Sequence, residues 1–154
     1  MENVSEANCD KVWKLGIMPL KTIPKNKKKP SRSKLVKKLD AVFSQYIRLK
    51  NAVDGYAVCF TCGKKDHYKK LQCGHFMSRR HYSTRWDEQN CNVQCAGCNV
   101  FRAGEIYLYT KYLCSQYGEN FPEELYIKSQ KIVKFTDVDL IEMIEYYNSK
   151  LESL

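Results

Sequence analysis

Two cysteine pairs, Cys59-Phe60-Thr61-Cys62 and Cys95-Ala96-Gly97-Cys98, stand 32 residues apart in the middle of the chain. Cysteines two residues apart on a tight turn present both sulfurs to one ion. Two such turns supply four soft donors in a tetrahedron, the arrangement that zinc prefers. Gly63, directly after the first pair, suits the left-handed turn of such a knuckle. A site closed by Cys59, Cys62, Cys95 and Cys98 leaves no open position, so the Zn2+ expected there holds the fold and does no chemistry. An iron–sulfur cluster or a thiol redox pair is the competing reading, and the wide separation of the two pairs speaks against the redox pair.

The rest of the sequence agrees with a cytoplasmic globular chain. Hydrophobic residues make up 44% of the 154, enough for one domain with a real core. No window approaches the 18 or more apolar residues of a membrane span. The first twenty residues, MENVSEANCDKVWKLGIMPL, carry early acids and no apolar h-region, so no secretory signal is expected. In a reducing cytoplasm the eight cysteines read as metal ligands and free thiols, with Cys9, Cys73, Cys91 and Cys114 in the second group. The net charge of +9 is uneven. Residues 21–40 hold nine Lys/Arg against the single acid Asp40, and residues 119–154 hold eight acids against four lysines. Clustered positive charge points to a polyanion partner or to a solubilising arm.

Three parts follow from these patterns. Residues 1–32, with Pro19, Pro24 and Pro30 around Lys27, Lys28 and Lys29, read as a flexible, disordered basic arm. From residue 33, Leu35, Val36, Leu39, Val42, Phe43, Tyr46 and Ile47 recur at helical spacing, with Ser33 as N-cap and Asp54-Gly55 as the break. The cysteine region follows. Helical spacing resumes over residues 100–117 through Ile106, Tyr109, Tyr112 and Leu113, and Gly118 stops it. This central part, 33–118, is followed by a helical extension over 119–154. It holds a short helix across Pro122–Gln130 and a last helix capped by Thr136 with Asp139 three residues on. Leu140, Ile144, Tyr147 and Leu151 line one face of that last helix.

Between the knuckles lies the sharper signal. An alternating, strand-like stretch, YKKLQCGHF, ends on Gly74-His75-Phe76. Asn90 lies five residues before Cys95, Asn99 directly follows Cys98, and Arg102 comes three residues later. His75, Asn90 and Asn99 together resemble the pattern of HNH nucleases, the ββα-metal fold, in which a histidine ends a strand, an asparagine sits in the loop and a third residue opens a helix beside the second knuckle. The resemblance implies an α+β protein: a small zinc-stabilised, treble-clef-like ββα core flanked by helices. It implies His75 as general base and Asn99 as ligand of a catalytic Mg2+ or Mn2+, while Asn90 reads as the structural asparagine that cross-bonds backbone groups. His67 and His81 read as surface. Taken alone, His75 is better explained as a core histidine with a backbone partner.

The run GHF, SRR, RWDEQN, QC, CN and Gly104 is similar to the phage lambda NinG (Rap) recombination protein family, with a specific match over 56–104. That resemblance implies a phage-encoded endonuclease in the bacterial cytoplasm, acting on branched DNA such as junctions and D-loops. Arg79, Arg80, Arg85 and Arg102 would contact phosphate beside the arm lysines. Two cuts per junction would suit a homodimer formed by the flanking helices, and no membrane partner is expected. Two positions depart from the pattern. Gly74 stands where HNH enzymes commonly carry Asp or His, and Gln72 stands where the NinG family carries an acid. Cys73 nearby is a poor Mg2+ ligand, so Asp87, or phosphate oxygens and water alone, would have to complete the ion's shell. The other functional class open to these residues is a non-catalytic zinc module that binds DNA or RNA.

Overall fold

A computed structural model describes residues 29–154. Cys9, Lys27 and Lys28 lie outside the described residues, as does nearly all of the segment read as a basic arm. The chain is α+β, with five α-helices and two separate two-stranded sheets among the described residues.

Helix α1 (Arg32–Leu49) forms where the apolar periodicity places it and buries Leu35, Leu39, Phe43, Tyr46 and Ile47. Its cap is Ser31 rather than the expected Ser33: the Ser31 carbonyl accepts from the Lys34 and Leu35 N–H groups at 2.8 and 3.1 Å. Extended Ser31 follows Pro30, and a residue before the helix must leave helical geometry to cap it. Strands β1 (Tyr56–Val58) and β2 (Lys65–His67) pair antiparallel and carry the first cysteine pair in their connection. Gly63 takes φ +72°, as the knuckle turn requires. A 3-10 turn, Tyr68–Lys70, leads into β3 (Gln72–His75), which pairs antiparallel with β4 (Cys91–Gln94). The short helix α2 (Tyr82–Arg85) sits in the long β3–β4 connection.

Past the second cysteine pair the expected long helix is shorter. Residues Gly97–Phe101 make one wide, π-type turn. Ala103, Gly104 and Glu105 then take φ of +48, +88 and +53°, and α3 begins only at Ile106, running to Tyr117. Three consecutive left-handed residues cannot continue a right-handed helix. Asn99 therefore sits in an isolated turn and not at the start of α3. Helix α4 (Phe121–Ser129) follows with Pro122 in its first turn. Helix α5 (Asp137–Glu152) opens with the expected reciprocal cap: the Thr136 hydroxyl accepts from the Asp139 N–H at 3.2 Å, and the Asp139 carboxylate from the Thr136 N–H at 2.6 Å.

Two apolar clusters hold these elements. In the larger, the α1 face meets Leu140, Met143, Ile144 and Tyr147 of α5, together with Trp86, Cys91 and Val93. The Tyr147 ring packs edge-on to Phe43 with centroids 5.0 Å apart, and its hydroxyl donates to the Trp86 carbonyl at 3.2 Å. Lys150 of α5 pairs with Glu88 at 2.7 Å, over the Tyr46 ring. The stretch 119–154 thus supplies α5 to the same core as the leading helix. The smaller cluster joins Tyr109, Leu113 and Leu125, with Phe60, Phe76, Met77 and Phe121 against it. The β3–β4 hairpin lies between them: α1 packs on both of its strands, while the Tyr109 hydroxyl donates to the Gly74 and Asn90 carbonyls at 3.2 and 3.3 Å. Among the described residues no helix is long and apolar enough to cross a membrane.

Phe43 is fully enclosed where α1, α5 and the hairpin meet. Phe43→Ala is expected to lower the unfolding free energy by about 3–5 kcal/mol, the usual cost of an emptied aromatic site. Chemical denaturation of the zinc-loaded protein checks this, and a loss under about 1 kcal/mol would mean that the α1–α5 contact is not part of the cooperative core.

Candidate metal centre and hairpin site

The two knuckles meet. The sulfurs of Cys59, Cys62, Cys95 and Cys98 all lie within 4.8 Å of one another, and the Cys62 and Cys95 sulfurs are 3.7 Å apart. Four thiolates at about 2.3 Å from one zinc stand roughly 3.8 Å apart in a regular tetrahedron. The residues therefore fit a closed zinc site, and these four cysteines can hold such an ion. The surroundings of Cys59 and Cys98 favour thiolates. The Cys95 N–H donates to the Cys59 sulfur at 3.2 Å, and the Arg102 guanidinium donates to the Cys98 sulfur at 2.7 Å. Burial opposes ionisation at Cys59, but the Thr61 hydroxyl and the Cys95, Cys62 and Thr61 N–H groups outweigh it and hold the thiol down to about 6. At Cys62 the Lys64 N–H favours the thiolate, yet burial and three crowding thiols push its value up to about 12. Four thiolates need a cation between them. The Phe60 N–H donates to the Val93 carbonyl at 2.7 Å, so the first knuckle is also stitched directly to β4.

The hairpin β3–β4 presents two chemically different faces, because alternate residues of a strand point to opposite sides. One face carries Gln72 and Gly74 of β3 opposite Gln94 and Asn92 of β4. Asn99 joins it: its amide donates to the Gln72 side-chain oxygen at 2.7 Å. Gln94 is fully buried and donates to the Thr61 hydroxyl at 3.2 Å and the Gly104 carbonyl at 2.8 Å. Its oxygen then faces Gly74 and meets no donor among the described residues. A Cβ at position 74 would stand 2.0 Å from that oxygen. The acid missing at Gly74 thus has its space taken by Gln94, a side chain that no sequence pattern singles out. Carboxamide oxygens are hard donors of the kind Mg2+ and Mn2+ accept, but no carboxylate stands among these contacts. Asp87 does not supply one: Lys128 holds it at 2.8 Å.

The opposite face carries Cys73 and His75 of β3 with Cys91 of β4. His75 is partly buried, and its Nε2 lies 3.0 Å from the Arg85 carbonyl. A carbonyl only accepts, so Nε2 carries the proton and Nδ1 keeps a lone pair in the neutral ring. Burial pulls His75 below the ordinary histidine value, with the nearby Arg79 charge in the same direction, against the pull of the Arg85 carbonyl. No contact joins His75 to Asn99, and strand alternation sends them to the two faces of the hairpin. Asn90 is fully buried in the connection: its oxygen accepts from the Met77 N–H at 2.7 Å, and its amide donates to the Met77 and Thr84 carbonyls at 3.0 and 2.9 Å.

The arginines divide. Arg79 and Arg80 are exposed. Arg85, expected at phosphate, instead makes a two-pronged pair with Asp40 of α1 at 2.9 and 2.6 Å, and its side chain is 17% exposed. Trp86 donates to the same carboxylate at 2.9 Å. Arg102, also expected at phosphate, is engaged by Cys98 and Glu105. Lys29 pairs with Asp137 at 3.4 Å, at the start of α5. His67 and His81 are partly buried rather than fully exposed.

Because the four-cysteine site ties β4 to the first knuckle, Cys95→Ser is expected to lose its zinc and unfold the centre of the chain. Structural zinc contributes on the order of 10 kcal/mol or more in comparable sites. Elemental analysis with circular dichroism checks this, and a Cys95→Ser protein that keeps both zinc and its melting transition would overturn the assignment.

Searches of curated proteins and of solved structures found no match. The comparison with protein families did: the chain matches the family described as Bacteriophage Lambda NinG protein over residues 20–154. That span takes in α1, both knuckles, the hairpin and all of α3 to α5. With its paired knuckles and the asparagine behind the second one, this chain belongs to the lambda NinG family of phage recombination-related proteins.

Proposed function

We propose that the chain is a metal-dependent endonuclease of HNH type that cuts branched DNA intermediates of phage recombination. The observation that carries this reading is the contact between Gln72 and Asn99. Position 72 is where the resemblance puts an acid, and the fold sets it directly against the asparagine behind the second knuckle. Gln72 and Asn99 would hold Mg2+ or Mn2+ at a bound phosphate, and the ion would supply charge neutralisation there.

His75 supports the same reading. Its ring is fixed by the Arg85 carbonyl, and burial favours the neutral form. A neutral, positioned imidazole takes a proton from an attacking water. In-line displacement places the attacking and leaving oxygens on opposite sides of phosphorus. In this reading the scissile phosphate would lie at the end of β3 and reach both His75 and, on the other face of the strand, the Gln72–Asn99 pair. Exposed Arg79 and Arg80 offer phosphate contacts, and exposed Phe101 and Tyr107 offer stacking surfaces for the unpaired bases of a branch point.

One observation favours the second reading, a zinc module that binds branched DNA without cutting it: no carboxylate accompanies Gln72 and Asn99. A labelled four-way junction with Mg2+ or Mn2+, against linear duplex, separates the two. Cutting of the junction supports the nuclease, and binding without cutting supports the module.

If the chain cuts, His75→Ala is expected to keep zinc, fold and junction affinity while losing about 10²–10⁴-fold in rate, with no rescue by excess metal. Asn99→Ala is expected to lose cutting and to recover part of it in excess Mn2+. Gln72→Asp, which restores a carboxylate, is expected to lower the Mg2+ concentration needed for half-maximal rate. Cleavage that survives in His75→Ala would remove that residue from the role of base.

The pH profile gives a further check. A depressed His75 value means that the neutral base is already fully present at neutral pH. The rate is expected to rise with pH and level off below the ordinary histidine value of about 6.5. A plateau reached only well above that value would exclude His75 as the titrating base.

A further inference from the structure

On the face of β3–β4 turned away from Asn99, Cys73, His75 and Cys91 each point one donor atom at a common place, all within 4.8 Å of one another. We propose that these three residues form a second metal site, separate from the four-cysteine centre, for a soft or borderline cation, zinc foremost. The register builds it. His75 lies directly opposite Cys91, and Cys73 is the next residue of β3 on the same face.

The two cysteines are poorly placed for a disulfide. Cys73 pairs with Val93 and not with Cys91, so they are diagonal neighbours. Such positions stand roughly 7–8 Å apart across a ladder, beyond the roughly 6.8 Å that a disulfide usually spans. The sulfurs, within 4.8 Å of each other, are spaced for two ligands of one cation.

The surroundings of His75 are those of a ligand. Histidines that bind metal commonly donate their other ring N–H to a carbonyl or carboxylate, which fixes ring and tautomer. Here Nε2 meets the Arg85 carbonyl at 3.0 Å, which the Cys91 sulfur also faces at 3.9 Å, so Nδ1 is the nitrogen that would take the ion. That carbonyl is itself immobilised, because the Arg85 side chain is forked onto Asp40 and the neighbouring Trp86 ring donates to the same carboxylate. Two thiolates and a neutral imidazole cancel the charge of a divalent ion. The resulting neutral complex suits the apolar setting of Cys91, which is fully buried in the main core. Three protein ligands leave a fourth position open, unlike the closed site of the two knuckles.

Occupancy has a consequence that rests on the nuclease reading. An ion at Nδ1 takes the lone pair that a general base needs, so zinc at this site silences cutting. Zinc would then be structural at one site and inhibitory at the other.

The test is a metal count on the full chain. Zinc-saturated protein, freed of loose metal by gel filtration, is expected to carry two equivalents, and Cys73→Ala and Cys91→Val one each with circular dichroism unchanged. Cys73 is only partly buried, so its variant keeps the test alive if Cys91→Val fails to fold. Co2+ titration gives a second readout: the second equivalent is expected to add thiolate-to-metal absorption in the wild type and none in Cys73→Ala. Saturation at one equivalent in the wild type, or two equivalents in Cys73→Ala, would overturn the site. Two equivalents with undiminished junction cutting would confirm the site and remove His75 from the role of base.

Discussion

Four sulfurs converging on one point set the geometry of everything around them. Cys59 and Cys62 come from the turn between β1 and β2, and Cys95 and Cys98 from the chain just after β4. Drawing them together fixes the end of β4, and its antiparallel partner β3 follows from the ladder. The turn that carries Asn99 starts from the same knuckle, with the Asn99 N–H donating to the Cys95 carbonyl at 2.9 Å. The contact of Asn99 with Gln72 thus depends on thiolates that touch neither residue. Sheets of two short strands have little stability of their own. A cation held between the knuckles would do here what a larger sheet does by itself.

Gln94 links this centre to the hairpin. Its amide bonds the knuckle residue Thr61 and the Gly104 carbonyl, so the side chain ties the first knuckle to the turn after the second. Its oxygen fills the space beside Gly74. Position 74 must stay glycine while Gln94 stays where it is, and an acid there would break two buried hydrogen bonds before it could meet a cation. The two departures from the nuclease pattern are therefore unlike each other. Gln72 is a change of donor at a position still facing Asn99, whereas Gly74 is a position at which no side chain fits.

Much of the framework was legible in the sequence because its signals are local. Two residues between cysteines, helical spacing from Leu35 to Ile47, and a Thr136–Asp139 cap each depend on neighbours a few residues away. What could not be read depends on register or on distant partners. Nothing local shows that Arg85 would fork onto Asp40, 45 residues earlier. Cys73 and Cys91 read as two unrelated free thiols until the pairing of β3 with β4 puts them on one face with His75. The periodicity through residues 100–104 promised a helix, and three left-handed residues ended it. Gly104 alone hinted at this, since Ala103 and Glu105 seldom adopt such geometry.

The contact of α1 with α5 has a consequence for synthesis. The face bearing Leu39, Phe43 and Ile47 is made early, and its cover, Leu140, Ile144 and Tyr147, is about a hundred residues away in the chain. A ribosome adding 5–20 residues per second leaves that greasy stripe uncovered for roughly 5 to 20 seconds. The knuckles can load their metal in that interval, because all four cysteines emerge well before α5. The order of synthesis thus lets metal capture precede closure of the main core. In the interval the nascent chain carries an ordered centre beside an open apolar flank, the state in which a chaperone or a second nascent chain would find it.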